Sequence, residues 1–165
     1  MINSVYVENL CNVVLPVSIE NTEKLAQKFI DYVYANYLSE NFPENCDYTA
    51  EITLCDNNFI HKINKEYRNI DAPTDVITFA LFADSEDKII TDNTVSLGQI
   101  LISVERTIEQ AQENNNTAQE EFLFLLAHGV LHLFGFDHPT DEDLEKMLKI
   151  QDEMIESIDY VKIQS

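Results

Sequence analysis

The sequence predicts an α+β fold in one domain, with a small mixed β-sheet of about four strands and about five helices. Segments of alternating hydrophobicity are interspersed with segments of helical period, without the strict strand–helix–strand order of a parallel α/β protein. The length of 165 residues fits one domain, and no Gly/Ser linker or Pro-rich tract divides the chain. We therefore treat residues 1–165 as a single domain.

The N-terminal part contains two predicted strands and two predicted helices. The opening INSVYVEN alternates as a strand does, and TEKLAQKFIDYVYANYLSE repeats apolar residues from Leu25 to Leu38 at helical spacing. The segment YTAEITLC alternates again and predicts a half-buried strand. Behind it, DNNFIHKINKEYR predicts a short helix that begins after an Asn or Asp cap.

Two more strands and a helix follow. The segment TDVITFALF is rich in β-branched and aromatic residues and predicts a strand. The acidic ADSEDKIITDN predicts a loop, and VSLGQILIS predicts a further strand. Next, VERTIEQAQEN predicts a helix that is capped by Ser103 and ends at the Asn-rich break of residues 114–116.

Two capped helices complete the predicted fold. Thr117 and Glu120 match a capping box, which predicts a helix through AQEEFLFLLAHGVLHLF. This helix is apolar on nearly every side, so we expect it to lie inside the fold. Gly135 stands where a left-handed residue would reverse the chain after the helix. Thr140 and Asp143 predict the start of a last helix.

Composition and charge limit the classes of partner. The chain has 30 acidic and 10 basic residues, and its formal charge of −20 repels nucleic acid and anionic membranes at long range. One local basic cluster, formed by Lys62, Lys65 and Arg68, departs from this pattern. No apolar run approaches the ~18 residues of a membrane span, and no export signal is recognisable, so we expect a cytoplasmic protein without membrane contact. The widely spaced cysteines argue against disulfides and a thiolate metal site.

Three of the four histidines lie in the segment HGVLHLFGFDH, residues 128–138. His128 and His132 differ by about 40° around a helix and by one turn along it, so both imidazoles emerge on one side. His138 cannot join them on that helix, but Gly135 can take a positive φ and return it toward them. Three neutral nitrogen ligands with an open fourth position are typical of catalytic zinc. We therefore predict one zinc ion per chain, on a zincin-like central helix.

Other interpretations of the histidines remain open. As ordinary core residues, each would need its own hydrogen-bond partner, because unsatisfied burial costs about 1–3 kcal/mol. The spacing H-x-x-x-H-x-x-G-x-x-H is also that of metzincin proteases, in which a general-base glutamate follows the first histidine. Gly129 stands at that position here. A metalloprotease of metzincin-like spacing is therefore an alternative with its base missing.

The same segment resembles a known family. HGVLHLFGFDH matches the HGxLHLxGyDH signature of YbeY-type endoribonucleases, the bacterial rRNA maturation factors. NKEYRNIDAPTDVITF is similar to that family's N-x-x-Y-R-x-x-D-x-P-T-D-V-L-S-F block, and LGQILIS is similar to its third block. The resemblance runs from about Cys55 to Ile155. It departs at TFA, where the family has SFP, and at Gln99, where Asp is usual, so we assign no role to Gln99.

The resemblance implies a zinc-dependent, single-strand-specific endoribonuclease that acts in 16S rRNA maturation and ribosome quality control. The implied metal ligands are His128, His132 and His138, and Arg68 is the implied catalytic residue. Phosphodiester cleavage needs a Lewis acid and a cation for the developing charge, which zinc and Arg68 would supply. Single-stranded rRNA would be the substrate, with the ribosome or ribosomal proteins as further partners. The sequence predicts no particular oligomeric state.

Alternatives to these roles come from the residues themselves. Arg68 could instead form a structural salt bridge to Asp71 or Asp75. Asp137 is predicted to orient the histidine turn or cap the following helix, and His61 is predicted to be a surface residue. A non-catalytic alternative for the whole chain is a metal-stabilised module that binds a ribosomal protein through its acidic surface.

Overall fold

The computed structural model of the protein describes residues 3–158, so Ile2 of the first predicted strand lies outside the described residues. Ten elements follow one another along the described chain. They are β1 (Ser4–Asn9), α1 (Ile19–Tyr37), β2 (Asp47–Cys55), α2 (Asn57–Arg68), β3 (Val76–Phe79), α3 (Leu81–Asp84), β4 (Thr94–Ser103), α4 (Val104–Glu113), α5 (Ala118–Leu133) and α6 (Asp141–Glu156). The predicted α+β class is confirmed.

The four strands form one mixed sheet in the order β1-β2-β4-β3. β1 pairs parallel with β2, and β2 pairs parallel with β4. β3 pairs antiparallel with β4 and lies at the edge of the sheet, with Ile77 opposite Leu101. The one antiparallel strand of this mixed sheet, β3, therefore lies at an edge. One side of β3 is free to border a cleft.

The predicted strand TDVITFALF is correct only in its middle, because the chain leaves the sheet after Phe79 and forms the short helix α3. The cause is a close backbone approach at Gly98, whose φ is +137°. A Cβ atom at Gly98 would overlap the carbonyl oxygen of Phe79 and lie 2.9 Å from the amide nitrogen of Leu81. The bend over Gly98 ends β3 and brings the helix count to six within the described residues, against the predicted five.

Side-chain caps begin the helices where the sequence places them. The hydroxyl groups of Ser103, Thr117 and Thr140 each accept a hydrogen bond from a backbone N–H in the first turn. At Thr117 the capping box is complete, since Glu120 also bonds back to the cap residue. Such caps satisfy backbone donors that would otherwise lack partners, and each stabilises its helix by about 1 kcal/mol. The predicted starts of α4, α5 and α6 are confirmed, whereas α1 begins at Ile19, three residues before the predicted segment.

Helix α5 is the centre of the fold. It packs on β3, β4 and four other helices, α1, α3, α4 and α6. Its apolar residues are almost all buried, among them Phe122 and Leu126, which are 0% exposed. The predicted interior position of this helix is confirmed, and so the histidines near its C-terminal end project from a rigid support. Over residues 3–158, no helix combines the length and the apolar character needed to cross a membrane.

Candidate metal centre

His128 and His132 lie one turn apart near the C-terminal end of α5. Their ring centroids are 4.5 Å apart, and the two Nε2 atoms are 2.9 Å apart. Both side chains are partly buried, and the ring of Phe124 stacks on His128 with an interplanar angle of 12°. The helix therefore presents two imidazole nitrogens to one point, as the four-residue spacing predicts.

A glycine turn returns the third histidine to the first two. Gly135 has a φ of +91°, its N–H donates to the carbonyl of His132, and the N–H of Phe136 donates to the carbonyl of Leu131. These two bonds form a Schellman motif, in which the left-handed residue reverses the chain. The ring of His138 then lies 5.3 Å, centroid to centroid, from the ring of each other histidine. The predicted turn at Gly135 is present.

Gly135→Val is expected to damage metal binding more than folding. A Cβ atom at this position would meet only the Cβ of Ala83, at 3.5 Å, so space is not the constraint. The constraint is φ, because a β-branched residue at positive φ costs roughly 1–3 kcal/mol and favours a different turn. Circular dichroism should stay largely helical while the metal bound per chain falls.

Gly135→Asn is the matched control for this turn, because asparagine tolerates the left-handed conformation. It should retain most of the bound metal. Full metal retention in Gly135→Val, measured beside Gly135→Asn, would show that the position of His138 does not depend on a positive φ at residue 135.

The hydrogen bonds of the rings define which nitrogens are free. Nδ1 of His128 lies 2.7 Å from Oε1 of Gln151, and Nδ1 of His132 lies 2.7 Å from the carbonyl oxygen of Phe136. Both partners are acceptors, so each Nδ1 carries the hydrogen and each Nε2 carries a lone pair. Two lone pairs then face one another across 2.9 Å, an arrangement that repels unless a cation lies between them.

This donor set fits a divalent metal ion. One ligand nitrogen from each of His128, His132 and His138 can be chosen so that all three lie within 4.8 Å of one another. Burial lowers the pKa of His128 and the pKa of His132, which favours the neutral imidazole that binds metal. Three imidazoles suit zinc and other late transition metals. The cluster can therefore hold a metal ion.

The histidines open into a cleft of about 560 Å³. α5 and the histidine turn form one wall, and the free edge of β3 forms the other. Its lining consists of Arg68, Thr74, Asp75, Val76, Ile77, Thr78, Ala80, Asp84, Phe124, Leu125, His128, His132, Gly135, Phe136, Asp137 and His138. The cleft thus combines the cluster with one cationic side chain and three carboxylates.

Arg68, the last residue of α2, lines this cleft. Its guanidinium forms no ion pair within residues 3–158. The carboxylate of Asp71 pairs instead with Nε2 of His61 at 2.7 Å, and Asp75 accepts a hydrogen bond from Gln110 at 2.9 Å. The predicted structural alternative, a bridge from Arg68 to Asp71 or Asp75, is therefore not formed. The guanidinium is available to a ligand in the cleft.

Other residues singled out in the sequence lie nearby. Asp137 accepts a hydrogen bond from the backbone N–H of His138 at 2.8 Å, so it orients the turn, whereas Thr140 caps the next helix. His61 is a partly exposed residue on α2, paired with Asp71, away from the histidine cluster. Gln99 donates to the hydroxyl of Thr53 at 2.9 Å and is not part of the cleft lining.

Two residues at this site were not identified from the sequence. Gln151 is 0% exposed and lies on α6. The sequence feature that could have identified it is a polar amide at a position of α6 whose other buried residues, Met147 and Met154, are apolar. The sequence predicts Asp75 only as a possible salt-bridge partner, but it lines the cleft, and its carboxylate accepts hydrogen bonds from Gln110 and from the N–H of Val76 at 2.7 Å.

Gly129 occupies the position of the metzincin glutamate. It is buried against β4, and a Cβ atom there would lie 2.9 Å from Cγ2 of Ile100. A side chain at 129 would therefore point into the contact between helix and sheet. The site lacks a general base at this position because of the packing of α5, and this weakens the protease interpretation.

The fold and the cluster together define a small α+β domain with a candidate catalytic metal site in an open cleft. Residues 10–159 match the family model described as Endoribonuclease YbeY. Endoribonuclease YbeY of Clostridioides difficile (strain 630) is 33% identical over 144 residues, covering 87% of this chain and 92% of the relative. Endoribonuclease YbeY of Bacillus pumilus (strain SAFR-032) is 42% identical and covers 84% of each chain. The chain belongs to the YbeY endoribonuclease family, as its motifs indicated.

A solved structure supports the same fold. The solution structure of a Thermotoga maritima protein has a TM-score of 0.55 and 26% identity to this chain, covering 91% of it and 88% of that protein. Most of both chains is therefore included in the match.

Proposed function

We propose that this protein is a zinc-dependent, single-strand-specific endoribonuclease that acts in 16S rRNA maturation and ribosome quality control in the cytoplasm. Membership of the YbeY family supports the endoribonuclease class. The observation that carries the zinc dependence is the 2.9 Å separation of the Nε2 atoms of His128 and His132, beside His138 and in the same cleft as an arginine without an ion pair among the described residues. One zinc ion per chain is proposed, with the ribosome or its proteins as partners.

His128, His132 and His138 would hold the zinc ion. When bound, zinc supplies a Lewis acid for the phosphoryl group and leaves a coordination position open to the substrate. Arg68 provides a planar set of N–H donors that suits two phosphoryl oxygens and neutralises the charge that develops on them. The nucleophile in RNA cleavage can be the neighbouring ribose 2′-OH. A protein carboxylate base is then less necessary than in peptide hydrolysis, which agrees with glycine at position 129.

The carboxylates of the cleft restrict where RNA can bind. Asp75, Asp84 and Asp137 line it and repel phosphate groups, whereas Arg68 attracts them. A phosphodiester that enters is therefore drawn toward the side of the cleft that carries the guanidinium. This arrangement reconciles a chain of charge −20 with an RNA substrate, since the attraction is local.

The zinc-loaded protein is expected to cleave single-stranded RNA and to leave an unstructured peptide and duplex RNA intact. The site has an arginine for phosphate and no base at the position used by metzincins, which favours RNA over peptide. The preference for single strands is what the resemblance to the family implies. The test incubates the loaded protein, and the same protein after chelation, with each substrate and resolves the products by electrophoresis and mass spectrometry. Peptide products alone would favour the protease, and no products from either substrate would favour the binding module.

A further inference from the structure

Gln151 bridges two turns of the helix that carries the histidines. It lies on α6 and is 0% exposed. Its Oε1 lies 2.7 Å from Nδ1 of His128, and its Nε2 donates to the carbonyl of Phe124 at 3.3 Å. Phe124 is four residues before His128, so one amide contacts both a backbone carbonyl and the histidine one turn later. All the polar atoms of this side chain have partners.

The carbonyl of Phe124 fixes the orientation of the amide. If the oxygen and nitrogen of Gln151 exchanged places, Oε1 would face the carbonyl oxygen of Phe124, and two acceptors would meet inside the protein. An unpaired buried polar contact of this kind costs about 1–3 kcal/mol. Gln151 can therefore present only its oxygen to His128, and an oxygen requires that the ring hydrogen be on Nδ1.

We propose that Gln151 is a positioning residue for the metal site: it holds His128 as the Nδ1–H tautomer, so that Nε2 is the ligand atom before any metal binds. This inference rests on the proposed metal-binding role of the cluster. Hydrogen bonds from metal-ligating histidines to acceptors commonly orient the ring in this way. Here the acceptor is a neutral amide. Both its oxygen and its nitrogen have hydrogen-bond partners whether or not a metal is bound.

The other two histidines are held differently, which makes Gln151 the informative position. The partner of His132 is the backbone carbonyl of Phe136, which a substitution cannot remove. No hydrogen bond to the ring of His138 is found within the described part of the chain. Gln151 is thus the one side chain, among residues 3–158, that fixes a ring tautomer in this cluster.

The experiment compares Gln151→Met, which has similar length and no acceptor oxygen, with Gln151→Glu, which keeps one. In the metal-free wild type, ¹⁵N NMR of the histidine rings at a pH well above ~6.5 should show His128 as the Nδ1–H tautomer. In Gln151→Met the ring should populate both tautomers, and zinc affinity should fall about 10–100-fold. In Gln151→Glu the tautomer should persist, with zinc affinity much closer to the wild type than that of Gln151→Met. The second carboxylate oxygen of this variant meets the carbonyl of Phe124, so its melting temperature should fall while the ring tautomer of His128 is kept.

Met154→Leu is the packing control, because Met154 is also 0% exposed on the same face of α6 but contributes no hydrogen bond to the cluster. It should leave both the tautomer and the zinc affinity unchanged. An Nε2–H tautomer for His128 in the metal-free wild type would overturn the proposal whether or not the variants fold. Wild-type zinc affinity in Gln151→Met would overturn it as well.

The tautomer measurement also separates this inference from the proposed function. It is made without metal, so it stands or fails on Gln151 alone. Failure of the wild type to bind zinc through its histidines would overturn the metal site, even if the tautomer of His128 proved to be as expected.

Discussion

His132→Ala is expected to reduce bound zinc from about one ion per chain to a trace, and to remove RNA cleavage with it. The reason is geometric, because His132 is next to both other proposed ligands, with its Nε2 2.9 Å from that of His128 and its ring 5.3 Å from that of His138. Loss of a direct ligand should cost more affinity than the roughly 10–100-fold that loss of a supporting hydrogen bond costs. Elemental analysis of the purified protein, followed by competition with a zinc chelator, measures the effect.

The matched control is His61→Ala, which removes the one histidine outside the cluster. His61 pairs with Asp71 on the exposed part of α2, so its loss should leave zinc content unchanged. Circular dichroism of both variants should show a folded protein, since the imidazole of His132 is only partly buried. Equal zinc in His132→Ala and the wild type would rule out the proposed ligand set.

Arg68→Ala is expected to lower the rate of RNA cleavage by roughly 10²–10³-fold, the usual cost of losing one group that stabilises transition-state charge. Arg68→Lys keeps the charge but loses the planar pair of donors, so its rate should lie between those of Arg68→Ala and the wild type. Thermal stability should change little in either variant, because the guanidinium forms no ion pair within residues 3–158.

Single-turnover cleavage of single-stranded RNA, beside thermal melts and zinc content, separates the two roles for this residue. Lys62→Met serves as control, since it removes an exposed cation from the same helix outside the cleft. If Arg68→Ala lowered the melting temperature while activity per folded molecule was preserved, Arg68 would be structural after all. A loss in Lys62→Met equal to that in Arg68→Ala would point to general charge rather than to the guanidinium.

Features that depend on local sequence could be predicted. The caps at Ser103, Thr117 and Thr140 each need only a hydroxyl and a backbone N–H up to three residues away, so the sequence contains the whole interaction. The same holds for the turn at Gly135, where a positive φ and two bonds within five residues return His138 to the cluster. The fold class and the three clustered histidines followed from such short-range patterns.

Features that depend on distant contacts could not be predicted. The end of β3 depends on a close approach to Gly98, which is 19 residues after Phe79 in the chain and lies on the neighbouring strand β4. The role of Gln151 depends on the packing of α6 against α5, because the sequence alone does not say which apolar neighbour an inner glutamine will touch. Arg68 likewise forms no ion pair among the described residues because Asp71 pairs with His61 and Asp75 accepts a hydrogen bond from Gln110. The sequence alone does not predict these contacts.

The contact of Gly129 with Ile100 has a consequence for how this family can change. A Cβ atom at 129 would lie 2.9 Å from one branch of the isoleucine and 3.0 Å from another, so helix and strand are already as close as these two residues permit. Any larger residue after the first histidine therefore requires a smaller residue at 100, or α5 must rise from the sheet and carry two of the three clustered histidines with it. The family signature HGxLHLxGyDH keeps glycine at this position, and a path from this site to a glutamate-based protease would need a change in the strand before a glutamate could be placed on the helix.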